Sequence, residues 1–308
     1  MYPWQEKDIK IDENSKILIG IGDSFTQGAG ACDPELWEKY NWNLDEMNKD
    51  DNIDILTSNY ENSWVNQICK NHLTDFIPVN LGALGKGNRA AVKELYLHPE
   101  LNLEVAKEKI VVFMLTGMER FDFVYNDYAE HSHFTTMWPN IGEKTPDKEL
   151  WEAYAERIWC DRFGIIELLL NVAEASTWCK AHNAKLIVTS AFSTEINEKT
   201  FFEKIRGEDI FNTLYRYPEH IKALVNKINW DEFLRPNGFN CVTDFLLSLE
   251  ERTDLINEKT SWPYYEFGYS FDKFTPKGYI TKCAHPSYLG HKEIAKVIYE
   301  HITKLKDV

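Results

Sequence analysis

Four short apolar runs set the strongest limit on what this chain can fold into. They are "KILIGIG" (16–22), "FIPVNLG" (76–82), "KIVVFMLTG" (109–117) and "AKLIVTSAF" (184–192). Each is continuous rather than alternating, which is the pattern of a strand covered on both faces. Stretches with helical spacing separate them. In "NSWVNQICKNHL", Trp64, Val65, Ile68 and Leu73 share one stripe. Residues 151–183 carry a long helical pattern, with a break expected near Gly164. The C-terminal stretch puts Leu289, Ile294, Ala295, Ile298, Ile302 and Leu305 on one face. Strands alternating with helices predict a parallel sheet with helices on both sides.

No Pro/Gly/Ser-rich linker divides the 308 residues, so we expect a single domain over 1–308. Two segments exceed the minimal pattern, at about 31–61 and about 193–282. Both leave from the presumed ligand-binding end of the sheet, where long insertions form lids and substrate walls. The second contains "YPEHIKALVNKI", which has helical spacing. Aromatic residues are abundant, 14% with 10 Trp, and many fall in "LWEKYNW", "TTMWPN" and "SWPYYEFGYSF". Two readings stand for them: packing of the insertions, or a stacking surface for sugars and other flat ligands.

A formal net charge of -15 argues against non-specific nucleic-acid binding and against anionic membrane surfaces, since both reward clustered Lys and Arg. The longest clean apolar run, "IVVFML", is too short to span a bilayer. The opening "MYPWQEKDIKIDENS" has no apolar core of a secretory signal. Six scattered cysteines without a CxxC pair fit free thiols in a reducing compartment. The expected setting is cytoplasmic or virion-associated, with no membrane span and no nucleic-acid partner.

The first strand candidate runs straight into "GDSFTQGAG", and ligands of such sheets bind at strand carboxyl ends. This is not the G-x-S-x-G elbow, because Phe25 and Thr26 follow Ser24. Nor is "NLGALGKGN" a phosphate loop, since Asn80 and Gly87 occupy positions that need Gly and Ser/Thr. Its Gly82, Gly85 and Gly87 still permit a tight turn with N–H groups aimed at an anion. A serine becomes a nucleophile only when a base takes its proton. The candidate base is His285 in "KCAHPSYLGH", just ahead of the last helix, where Pro286 and Ser287 act as start signals.

Together these residues resemble the SGNH hydrolases, the GDSL-like esterase and lipase superfamily. "GDSFTQG" resembles the first block, with Ser24 as nucleophile and Asp23 shaping its turn. "NLGALGKGN" resembles the second, with Gly85 at the oxyanion glycine and Asn88 beside it. "HPSYLG" resembles the last, with His285 as base. The resemblance implies a three-layer α/β/α sandwich with a flavodoxin-like, mostly parallel sheet. It also implies ester hydrolysis through an acyl-enzyme without metal or organic cofactor, on a small-molecule or carbohydrate ester such as a sugar O-acetyl group.

Two departures from the family pattern bear on this chemistry. The third block, Gly-x-Asn-Asp, reads "TGMERF" here: Gly117 is present, and Glu119 and Arg120 stand in place of Asn-Asp. Either Arg120 turns in as a cationic oxyanion donor, or the backbone N–H groups of Ser24 and Gly85 act alone. The Asp usual three residues before the histidine is Lys282, leaving a Ser–His dyad or an orienting acid from elsewhere, with Asp272 as candidate. The alternative reading is a decayed SGNH scaffold that serves as a binding or virion protein, since similarly altered third blocks resemble viral sequences. Other residues carry blander expectations: His131 and His133 a surface loop rather than a metal site, Asp122 and Asp127 solvated loop carboxylates, and Arg89 a surface cation.

Overall fold

A computed structural model of the chain describes residues 9–39, 53–98, 101–117, 120–126, 132–137, 152–154, 161–192, 228–253, 256, 277–281 and 285–306. Its strands are β1 (Lys16–Ile21), β2 (Phe76–Asn80), β3 (Glu108–Leu115), β4 (Phe121–Asn126), β5 (Ser132–Met137) and β6 (Lys185–Ser190). The four apolar runs become β1, β2, β3 and β6, joined in one all-parallel sheet of order β2-β1-β3-β6. That is the first part of the 2-1-3-4-5 order of doubly wound sheets. Beyond β6, Phe233 forms an isolated parallel bridge to Val188, at the edge where a fifth strand would lie.

The described helices are α1 (Ser24–Gln27), α2 (Pro34–Lys39), α3 (Ile53–Glu61), α4 (Trp64–Asn71), α5 (Asn88–Leu97), α6 (Asp161–Ala181), α7 (Val242–Leu249) and α8 (Tyr288–Lys306). Alternation along β1 explains how they are divided. Ile17, Ile19 and Ile21 point to one face and pack with Val92 and Leu95 of α5 and Leu169 and Val172 of α6. Leu18 points the other way, into a second core with Trp64 and Ile68 of α4, Phe245 of α7 and Ile294 and Ile298 of α8. Both faces of the sheet are thus covered, which is why its strands read as unbroken apolar runs. Each fully buried Ile or Leu in these layers contributes about 1.5–3 kcal/mol relative to exposure.

The structure departs from the sequence reading at several points. Helix α6 runs through Gly164 without a break, and Gly164 is buried. A glycine costs helix stability only on the order of 1 kcal/mol, and here packing outweighs it. Leu289 is 43% exposed and lies off the buried stripe of α8. Residues after β3 form an antiparallel hairpin, β4 and β5, that no periodicity announced. Within the segment read as a long insertion, α7 is core material: Val242, Phe245 and Leu246 are buried, and Thr243 donates through N and Oγ1 to the Ala191 carbonyl. The expected helix in "YPEHIKALVNKI" and the aromatic "SWPYYEFGYSF" lie outside the described residues. Among the described residues, no helix is long and apolar enough to cross a membrane.

Candidate active site

The turn that carries Ser24 is built by Asp23. Its backbone caps α1, and its Oδ1 accepts the Phe25 N–H at 3.0 Å. Ser24 therefore opens a four-residue helix at the carboxyl end of β1, with its side chain almost fully buried. The glycines around it make room. At Gly28 (φ 105) a Cβ would stand 2.3 Å from the Asn59 carbonyl oxygen. At Gly30 (φ 86) it would stand 2.5 Å from the Pro286 carbonyl oxygen and 3.1 Å from His285 Cβ. Gly30 thus lets the histidine segment lie directly against the nucleophile loop.

That contact brings His285 Nε2 to 3.0 Å from Ser24 Oγ. The separation lies within the hydrogen-bond reach required of a nucleophile and its general base. Several bonds fix the histidine segment. The His285 carbonyl accepts from Thr281 N at 2.8 Å and from Thr281 Oγ1 at 3.0 Å. Ser287 N donates to the Tyr279 carbonyl, and Ser287 Oγ accepts from Gly290 N at 3.2 Å, capping α8. Buried Glu250 holds the adjoining segment by accepting from Lys277 N and Tyr279 N. The imidazole packs beside Phe25, with ring centroids 5.7 Å apart.

The glycine loop docks on the same strand end. Leu81 N donates to the Gly20 carbonyl at 2.8 Å, and Ala83 N to the Gly22 carbonyl at 3.3 Å. Asn80 bridges loop and turn, accepting from Gly82 N and donating through Nδ2 to the Thr26 carbonyl and Ser63 Oγ. Gly85 follows with φ 72, a left-handed conformation open to glycine. Asn88 begins α5 and grips Thr116 twice, accepting from its N at 2.8 Å and donating to its carbonyl at 3.1 Å. It fixes the start of α5 to the end of β3.

Arg120 turns inward. Its side chain is 7% exposed, and its Nη1 lies 3.0 Å from Asp23 Oδ2 and donates to the Lys86 carbonyl at 3.0 Å. Thr116 Oγ1 donates to the same Asp23 oxygen at 2.7 Å. Asp122 corrects the expectation of a solvated carboxylate: it is 3% exposed. Its Oδ1 accepts from Gly87 N at 3.1 Å and its Oδ2 from Ala90 N at 2.9 Å. It is the N-terminal cap that α5 lacks in its own sequence, since Gly87 holds the capping position without a side chain.

His291 was not anticipated. It is fully buried, and its Nδ1 accepts the Trp64 N–H at 3.2 Å, so it ties α8 to the first turn of α4. Burial pushes its pKa down to about 3, and the neighbouring His285 adds to that shift. Its signal was the second histidine of "HPSYLGH", six residues after the first, at a helix start.

Arg89 is exposed, as expected. Asp272, Lys282, Glu119, His131 and Asp127 lie outside the described residues, and His133 is described only as backbone in β5. Among the described residues, no group of three or more His, Cys, Asp or Glu is arranged to hold a metal ion. Cys32 is buried, Cys69, Cys179 and Cys241 are buried free thiols, and burial pushes those of Cys69 and Cys179 up to about 12. At neutral pH they are protonated and poor nucleophiles. Neither the known family models nor the curated protein sequences give a match to this chain.

Proposed function

We propose that the chain is an SGNH-type serine esterase that hydrolyses a carboxylic ester through an acyl-enzyme. The observation that carries this reading is the 3.0 Å approach of His285 Nε2 to Ser24 Oγ. Ser24 Oγ attacks the acyl carbon while its proton passes to His285 Nε2. The tetrahedral oxyanion is met by backbone N–H groups, those of Ser24 and Gly85, on two segments pinned to the same strand end. Collapse breaks the ester C–O bond, and His285 returns the proton to the leaving alcohol. Water then attacks the acyl-enzyme, giving its proton to His285, and releases the acid with Ser24 restored.

The pair works as a Ser–His dyad, or as a triad with Asp272 as the proposed orienting acid. Arg120 holds Asp23 in a buried ion pair next to the nucleophile. The proposed substrate is a small acyl group on a carbohydrate or other small molecule, in keeping with the aromatic content of the insertions. We place the enzyme in the cytoplasm or on a virion, working without metal or organic cofactor. Turnover of p-nitrophenyl acetate tests the reading. Hydrolysis abolished in Ser24→Ala supports it, and equal turnover by that variant removes Ser24 from the chemistry. An inert native protein favours a binding scaffold instead.

A further inference from the structure

The sequence after β3 lacks the third-block amide, yet it sends two charged side chains into one short target. Lys86 C=O and Gly87 N–H are the two ends of a single peptide unit in the glycine loop. Arg120 Nη1 donates to that carbonyl at 3.0 Å, and Asp122 Oδ1 accepts that N–H at 3.1 Å. Arg120 directly precedes β4 and Asp122 lies within it. Both side chains reach the same loop.

Gripping a peptide at both its oxygen and its hydrogen fixes the tilt of its plane. Three loop glycines make this necessary, because Gly82, Gly85 and Gly87 leave the segment many backbone states. The fit is close: a Cβ on Gly87 would stand 2.4 Å from Asp122 Oδ2. The grip is also connected to the nucleophile. The Arg120 Nη1 that holds the loop lies 3.0 Å from Asp23 Oδ2, and Asp23 shapes the turn of Ser24.

We propose that Arg120 and Asp122 are positioning residues, a two-sided clamp on the Lys86–Gly87 peptide that holds the Gly85 segment in register with Ser24. The clamp acts through the loop and need not touch substrate. This inference rests on the esterase reading of Ser24 and His285, and it makes Arg120 a holder of the oxyanion loop rather than a direct oxyanion donor.

The test uses the full chain and three variants, Asp122→Asn, Arg120→Lys and Arg120→Met, with p-nitrophenyl acetate as substrate and phenylboronic acid as a tetrahedral mimic. Asp122→Asn keeps the shape but can accept only one of the two N–H groups. Arg120→Lys keeps the charge and loses the planar fork. A displaced loop lowers kcat on the order of 10–100-fold at nearly constant KM. It weakens phenylboronic acid binding by a similar factor, and Arg120→Lys is less impaired than Arg120→Met. The weaker boronic acid binding is not produced by loss of folded protein, which lowers the apparent kcat at constant KM but leaves the boronic acid Kd unchanged. Folded Asp122→Asn and Arg120→Lys with native kcat and native boronic acid affinity would overturn the clamp while leaving the esterase standing. A native protein inert toward the ester and a fluorophosphonate probe would overturn the esterase reading, and the clamp with it.

Discussion

His285 Nε2 and Ser24 Oγ lie 3.0 Å apart although 261 residues separate them in the chain. Ser24 stands at the end of β1 and His285 precedes the last helix, so only the closed fold unites them. Replacing His285 by Ala should leave the nucleophile in place and remove its base. We expect kcat for p-nitrophenyl acetate to fall by about 10²–10⁴. Unchanged turnover would show that another group takes the proton.

The ion pair between Asp23 and Arg120 is nearly dry, with side chains 0% and 7% exposed. Removing one partner strands the other charge away from water. Arg120→Met should therefore destabilise the protein by about 3–5 kcal/mol in urea unfolding. Adding Asp23→Asn removes the stranded charge and should recover part of that loss. A double variant as unstable as the sum of the singles would show that the two side chains do not interact energetically.

Gly30 allows the histidine segment to reach the nucleophile loop. A Cβ there meets the Pro286 carbonyl oxygen at 2.5 Å, and the φ of 86 is itself unfavourable for alanine. Gly30→Ala should cost about 1–3 kcal/mol of stability and move His285 off Ser24. Its esterase kcat should fall further than its loss of folded protein accounts for. Activity that tracks the folded fraction alone would argue against this role for Gly30.

Burial holds the His291 pKa at about 3, below its ordinary value of 6.5. The unfolded chain then takes up the proton first as pH falls. Stability from the neutral imidazole is complete above about pH 6.5 and is lost as pH falls toward 3, at up to about 1.4 kcal/mol per unit. His291→Asn keeps an acceptor near Trp64 N–H without titrating. Urea unfolding between pH 6.5 and 4 should show a shallower slope for the variant, and identical slopes would rule out His291 as a source of acid sensitivity.

Much of the sheet was legible because strands buried on both faces cannot hide their composition: all four apolar runs became neighbouring parallel strands. Ser24 and His285 were legible because each stands at an element boundary in a recognisable block. Asp122 was not, since a single carboxylate shortly after a strand defaults to solvent. Only the tertiary fold brings it to Gly87 and Ala90, more than 30 residues earlier in the chain. One clue was present: α5 starts at Gly87 without a capping side chain, so its N–H groups required an acceptor from elsewhere. Arg120 was noticed as a substitution, but its pairing with Asp23 depends on how the chain turns after β3. The hairpin β4–β5 carries neither a clean alternation nor a short Gly-containing turn, and so left no local signal.

The most direct measurement of the central claim is labelling by a fluorophosphonate probe, with the modified residue located by mass spectrometry. We expect the native protein to be labelled on Ser24, and Ser24→Ala and His285→Ala to be labelled far more slowly or not at all. A folded native protein that resists the probe while a control serine hydrolase reacts, or a label on another residue, would contradict the account.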